Sequence, residues 1–342
     1  MTRRMAASLL FSFLACALWS AETFELSRGK IKLVLDTEAG SFSLYRLSDV
    51  GKNRYEPLFD DRDVSATSWF SVLSNGRVFK LRDRVGKPVV FSETESGAKF
   101  TFNLTDDFQV EQDFSFVTIP GAGGEPFLAI DTHIENTSGK TGVFALKALI
   151  DTSLGESEGI HFLTDVRHRI SAETRLKAGV DRDSWIVSAN KTLPFALIRS
   201  GSGASLPDAL YFANWDRLNT LAWSPDFVEG RSFNTIYSVN DSAILAVWPE
   251  AEIRANERLS VRMVLGSWDG KAPGVSSSPA FVPRQPEPIP QKRYRDKDAR
   301  EAAIKALLDR IDEIEKNPQS VPQDELDRLN AELDAILRQT GD

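Results

Sequence analysis

From Phe24 to about Gly270 the chain is a succession of short runs in which alternate residues are apolar, separated by turn residues. Ser41-Phe42-Ser43-Leu44-Tyr45-Arg46-Leu47 and Lys99-Phe100-Thr101-Phe102-Asn103-Leu104 both follow this pattern. A strand sends successive side chains to opposite faces, so alternation buries one face and leaves the other wet. Ile31-Lys32-Leu33-Val34-Leu35 precedes the first of these runs across a Glu38-Ala39-Gly40 turn, and Val110 to Phe116 alternates in its second half. Nothing between Phe24 and Gly270 sustains a helical period. Many strands with short turns and no intervening helices predict a large antiparallel β-sandwich, not a parallel α/β sheet.

Two longer apolar runs, Phe127 to Ile134 and Val143 to Ile150, are joined by Glu135-Asn136-Thr137-Ser138-Gly139-Lys140. Asn and Gly tolerate positive φ, so the pair is expected to form a β-hairpin. Further strands are expected at 195–198, 209–213, 233–239, 243–248 and 258–267. A hydrophobic content of 42% supplies a sizeable core, and an all-β domain of this length can be one unit. The net charge of −8 argues against a nucleic-acid surface, which is normally basic.

The ends differ from the body. Arg3 and Arg4 precede an apolar run from Met5 to Trp19, the pattern of a signal peptide and too short for a convincing membrane span. Cleavage after Ala21 would release a soluble protein. Phe13-Leu14-Ala15-Cys16 also resembles a relaxed bacterial lipobox, in which Cys16 would be lipidated and tether the chain to a membrane. Cys16 is the chain's one cysteine, so the mature body has no disulfide. Export without disulfides points to a bacterial periplasm or envelope. Asn103, Asn136, Asn190 and Asn240 open glycosylation sequons, which arise by chance in a chain rich in such turns.

Residues 271–290 carry six prolines, which suit neither ladder nor helix and predict an extended linker. Ile304, Leu307, Leu308, Ile311 and Ile314 then form one helical stripe, and Leu326, Leu329, Leu333, Ile336 and Leu337 a second, with Asn317-Pro318 ending the first. The expected plan is therefore a signal peptide at 1–21, a β-sandwich at 22–270, a linker at 271–296 and a helical hairpin of coiled-coil character at 297–340. A charged amphipathic hairpin beyond a linker is suited to docking a protein partner.

For chemistry, Ala148-Leu149-Ile150-Asp151-Thr152-Ser153-Leu154-Gly155-Glu156 ends an apolar strand in Asp-Thr and leads to Glu156, Glu158 and His161. Carboxylates and an imidazole at a strand end could form an acid/base or metal site. Asp151 and Thr152 could equally bond the turn's own backbone, and the sequence favours this second reading. Six tryptophans beyond residue 22 could stack on sugars, and Trp215 and Trp223, which bracket a loop-like stretch, are the best ligand contacts among them. Asp60-Asp61-Arg62-Asp63 lacks the spacing of a calcium loop. No metal or cofactor is expected.

Thr132-His133-Ile134-Glu135-Asn136-Thr137-Ser138, the strand after it, and Leu149 to Glu156 resemble a pattern in uncharacterised bacterial exported β-sandwich proteins. Phe212-Ala213-Asn214-Trp215-Asp216 to Leu221-Ala222-Trp223 resembles a second feature of that group. Together they are similar to the supersandwich of galactose-mutarotase-like domains, over residues 125–265. The resemblance implies a fold shared by sugar epimerases and by accessory domains of glycoside hydrolases. Mutarotase-type catalysis would need a histidine acid and a carboxylate base facing one sugar. His133, His161 and His168 sit in no such motif. The sequence thus favours a non-catalytic envelope scaffold or binding domain with a partner-docking tail, and carbohydrate binding or processing is the alternative.

Overall fold

A computed structural model of the chain describes residues 23–60, 67–82, 87–120, 122–157 and 159–267, with 305–306 and 309–310 beyond them. Within that span the strands make three antiparallel sheets. A four-stranded meander runs through Thr23–Arg28, Ile31–Asp36, Ser41–Asp49 and Arg54–Pro57. An eight-stranded sheet has the spatial order Leu163–Thr164, Trp185–Ala189, Pro194–Ile198, Arg258–Ser267, Pro126–Asn136, Phe108–Thr118, Gly97–Phe102, Val89–Thr94. A seven-stranded sheet has the order Thr174–Lys177, Ala209–Ala213, Ala243–Val247, Gly142–Asp151, Trp69–Ser74, Arg77–Lys80, and Ala251–Ile253 pairs with the start of Gly142–Asp151.

Alternation places the core. Along Phe108–Phe116 every second side chain is buried, including Gln112, whose amide donates to Thr132 Oγ1 (3.2 Å) on the neighbouring strand. A polar residue therefore occupies an inward position, and its cross-strand partner satisfies it. This is why only half of that run alternates by residue type. Phe42 of the meander meets Phe70 of the seven-stranded sheet and Phe114 of the eight-stranded sheet at centroid distances of 5.9 and 5.8 Å. Phe108 and Phe144 (5.6 Å) bridge the two large sheets. Each fully buried Phe contributes about 1.5–3 kcal/mol of transfer free energy, and all three sheets draw on this shared core.

Two sequence expectations are corrected. Pro126–Asn136 and Gly142–Asp151 do not form a hairpin. The first pairs with Phe108–Thr118 and Arg258–Ser267, the second with Trp69–Ser74 and Ala243–Val247. The joint carries the chain from one sheet to the other, and Asn136 holds the corner. Its fully buried side chain donates to the carbonyls of Lys140 and Ile253 (2.8 Å each) and accepts from Ser138 N and Oγ (3.0 and 2.6 Å). Both protons of the amide are committed, so this sequon is closed to glycosylation in the folded chain. The run from Gly142 is buried on both faces over most of its length, which requires neighbours that a hairpin could not supply.

Residues 233–239 are also not a strand. Thr235 closes a turn, with its N donating to Ser238 O (2.8 Å) and its Oγ1 accepting from Tyr237 N and Ser238 N. Ile236 and Tyr237 are each 88% exposed, so apolar content at these positions signalled no burial.

Among the described residues one single-turn helix, Trp215–Leu218, is assigned within the β body. Asn214 caps it by accepting from Asp216 N (3.0 Å). The chain divides into two units, Met1–Phe281 and Val282–Asp342. The signal segment 1–21, the linker 271–296 and most of the hairpin 297–340 lie outside the described residues. Residues 305–306 and 309–310 are helical, but four residues do not make a hairpin, and the expected C-terminal helical hairpin has no support from them.

Candidate functional site

In Gly142–Asp151 the residues Phe144, Leu146, Ala148 and Ile150 face the main core, so Lys147, Leu149 and Asp151 share the opposite, outer face. Trp69 stands beside Leu149, Ser71 beside Lys147, and Lys80 beside Ser71 on the next strand. A cover formed by residues 214–242 supplies Leu218, Trp215 and Phe227, which pack with Leu149, Leu245 and Tyr211 of this face.

A charged clasp holds the cover. Glu173 is fully buried and accepts from Arg217 Nη1, from Arg231 Nε (2.8 Å) and Nη2 (3.1 Å), and from Val228 N (2.9 Å). Arg217 also donates to the carbonyls of Ser232 and Asn234, both at 2.7 Å. A buried carboxylate persists where its lone pairs are filled and its charge is paired. Sequence reasoning missed this trio, whose members stand 14 to 58 positions apart and carry no local motif.

The outer face brings Trp69, Trp215 and Trp223 near two lysines. Trp69 and Trp215 meet edge to face at 6.0 Å, and Trp215 Nε1 donates to Thr67 O (3.0 Å). Lys80 Nζ lies 3.0 Å from the Trp69 ring centroid and Lys147 Nζ 5.5 Å from that of Trp223, the geometry of cation–π pairs. Lys147 also donates to the carbonyls of Thr220 (3.3 Å) and Ala222 (2.6 Å), tying the cover to the sheet. Burial pushes both ammonium groups down to about 8, with Arg82 adding repulsion at Lys80. Trp215 and Trp223, singled out from the sequence, do belong to one face. Lys80, Ser71 and Lys147 gave no signal, because their juxtaposition comes from the pairing of three strands.

The strand-end group forms a buried corner that adjoins this face through Thr67, which meets both Trp215 and Asp151. Glu156 Oε1 accepts from Ser242 N (2.8 Å), and the Ser242 hydroxyl meets His161 Nδ1 (2.8 Å), so one serine joins Glu156 and His161. His161 is 5% exposed and its ring lies 4.4 Å from that of Phe233, a member of the main core. Burial, helped by Arg169, brings its pKa down to about 4, so the imidazole is neutral at pH 7. Asp151 is buried, and its backbone N donates to Ser68 Oγ (2.9 Å). Burial pushes its carboxyl up to about 8 against the pull of a Thr67 hydrogen bond, and Asp60, Asp241 and Glu156 add repulsion. Thr152 donates to Leu58 O (2.8 Å). Gly155 closes the loop, because a Cβ there would stand 2.4 Å from the carbonyl oxygens of both Ile160 and His161. Glu158 and Cys16 lie outside the described residues.

His133 stands on the outer face of the eight-stranded sheet, its Nδ1 2.8 Å from Ser260 Oγ and its Nε2 3.8 Å from Asp113 Oδ2. His168 is exposed in a left-handed turn with φ of 67°. Among the described residues no histidine with a carboxylate stands on the tryptophan face, and no group of three or more His, Cys, Asp or Glu is placed to hold a metal ion.

These features define a three-sheet antiparallel β protein with a clasped aromatic–lysine face. No protein-family model matches the chain, and no curated protein sequence does. It is similar to solved structures. A galactose mutarotase-like protein from Lactobacillus casei ATCC 334 shares 10% identity over 72% of this chain and 100% of that one, with a TM-score of 0.43. The Slr1438 protein from Synechocystis sp. PCC 6803 shares 14% over 73% and 96%, with a TM-score of 0.42. A TPR-domain containing protein from Parabacteroides distasonis ATCC 8503 shares 12% over 93% and 60%, with a TM-score of 0.47. At these scores neither a residue role nor an activity passes from those proteins to this chain.

Proposed function

We propose that this chain is an exported, non-catalytic binding protein that takes a saccharide on the outer face of its seven-stranded sheet. One observation carries the reading: three tryptophans and two lysines converge on one face outside the main core. Aromatic rings offer a flat apolar surface to a sugar's C–H face, and half-buried Lys80 offers donors to its oxygens, while buried Lys147 holds the cover in place. A ligand site of this kind combines apolar area with a few placed polar groups. A mutarotase-like reaction would need an acid and a base against the same sugar. His161 is instead packed on Phe233, and its Nδ1 is engaged by Ser242.

A glycan array probed with the purified chain tests this, with Trp223→Ala and Trp69→Ala as comparisons. Binding that either substitution abolishes while the fold is retained supports the reading. Binding to no glycan refutes it.

Export and the tail complete the proposal. Residues 1–21 direct the chain to a bacterial periplasm or envelope, with Cys16 lipidation as the alternative to soluble release, and residues 297–340 dock a protein partner. Radiolabelled palmitate incorporation that Cys16→Ser abolishes would establish the lipid anchor. For the tail, a pull-down from membrane extract should lose partners when residues 291–342 are deleted. An unchanged partner set would count against it.

A further inference from the structure

Two cations, Lys80 and Arg82, stand together at the edge of the tryptophan face. Lys147, Ser71 and Lys80 are directly opposite one another on three adjacent strands, so the lysine backbones lie about 10 Å apart. Arg82, exposed, follows Lys80 just beyond the edge strand, whereas Arg77 alternates to the other face and lies over Phe79. Several surface cations elsewhere are paired, among them Arg262 with Asp131, Arg258 with Glu135, and Lys99 with Glu111 and Asp113. Among the described residues no carboxylate pairs with Lys80 or Arg82, whereas buried Lys147 is committed to the carbonyls of Thr220 and Ala222. This is a cationic patch on a chain of net charge −8. Lys80 is half-buried and close enough to Arg82 for repulsion to ease loss of its proton. A bound anion would offset both that repulsion and the loss of hydration.

We infer that the saccharide bound here is acidic: a uronate-type sugar whose carboxylate is held by Lys80 and Arg82 while its ring lies against the tryptophan face. The inference rests on the saccharide reading above and narrows it to one ligand class. A neutral sugar would use the rings and leave the cations unpaired. An acidic one uses both, and the lysine and arginine donors make charge-assisted hydrogen bonds to its carboxylate. Strong salt dependence follows, because the pairing is at an exposed edge.

Calorimetric titration of the full chain with trigalacturonic acid and with neutral galactotriose, at low and at high salt, tests this. The acidic trisaccharide should bind at least about tenfold more tightly at low salt. High salt and Lys80→Gln should each remove most of that advantage, and Trp223→Ala should weaken both ligands. Urea unfolding of Lys80→Gln confirms that the fold is intact, and Arg82→Gln, at an exposed position, provides a second variant. Equal affinity for the two sugars, or an acidic preference that survives both charge substitutions, would overturn the inference and leave saccharide binding standing. Failure of both sugars to bind would remove the saccharide reading itself.

Discussion

Asp151→Asn tests how the buried corner behaves. The native carboxyl titrates at about 8 against 3.8 for the free group. Between those values the folded chain holds a proton that the unfolded chain has shed. Its contribution to stability therefore falls as pH rises, by about 1.4 kcal/mol per pH unit. His161 acts in the opposite sense. Its native pKa of about 4, against 6.5, makes stability rise between those two pH values. In the wild type the two slopes offset each other from pH 4 to 6.5, and the Asp151 penalty then dominates towards pH 8. Asparagine keeps the shape and the Thr67 contact and cannot ionise. The stability of Asp151→Asn relative to wild type should thus improve by roughly 3 kcal/mol between pH 5 and pH 7. Urea unfolding followed by tryptophan fluorescence at half-unit pH steps measures it. Parallel profiles for the two proteins would mean that Asp151 is ionised in the native state and that the corner is open to water.

Other substitutions probe the cover and the loop. Glu173→Gln leaves two guanidinium groups without their carboxylate and should cost about 3–5 kcal/mol, with faster proteolysis within residues 214–242 as the check. Lys147→Met removes both carbonyl bonds that hold Thr220 and Ala222. The wild type should show a change in Trp223 emission centred near pH 8, where Lys147 loses its proton, and the variant should lack it. The folded chain sheds this proton near pH 8 and the unfolded chain only near 10.5, so the stability of wild type should rise between those values in urea unfolding while that of the variant lacks the rise. Gly155→Ala drives a Cβ into two backbone carbonyls and should cost about 1–3 kcal/mol in a thermal or urea melt.

The large antiparallel β body could be read from the chain because alternation is a local signal. Phe100, Phe102 and Phe114 declare their face within a few residues. The hairpin error at Glu135–Lys140 arose because turn chemistry shows that a chain reverses, not which sheet it enters. Asn136 decides that through carbonyls as distant as Ile253. Residues 233–239 misled for the converse reason: Ile236, Tyr237 and Val239 have strand propensity but no neighbour, and propensity yields to context. At the candidate site, Trp215 and Trp223 stood out by residue type. Lys80 and Lys147 are unremarkable in sequence, and the register of three strands alone brings them to Ser71. The Glu173 clasp has the same origin, since a buried ion pair leaves no periodic trace.

The location of the ligand face can be tested directly through the indole N–H signals of the purified chain during titration with trigalacturonic acid. Trp69, Trp215 and Trp223 report from the proposed face. Trp185 is buried in the apolar cluster on the eight-stranded sheet, and Trp248 Nε1 is bonded to Ser205 O (2.9 Å). Saturable shifts are expected at the first three, and stationary signals at Trp185 and Trp248. Shifts confined to Trp185 or Trp248, or no shift at any indole, would contradict that location.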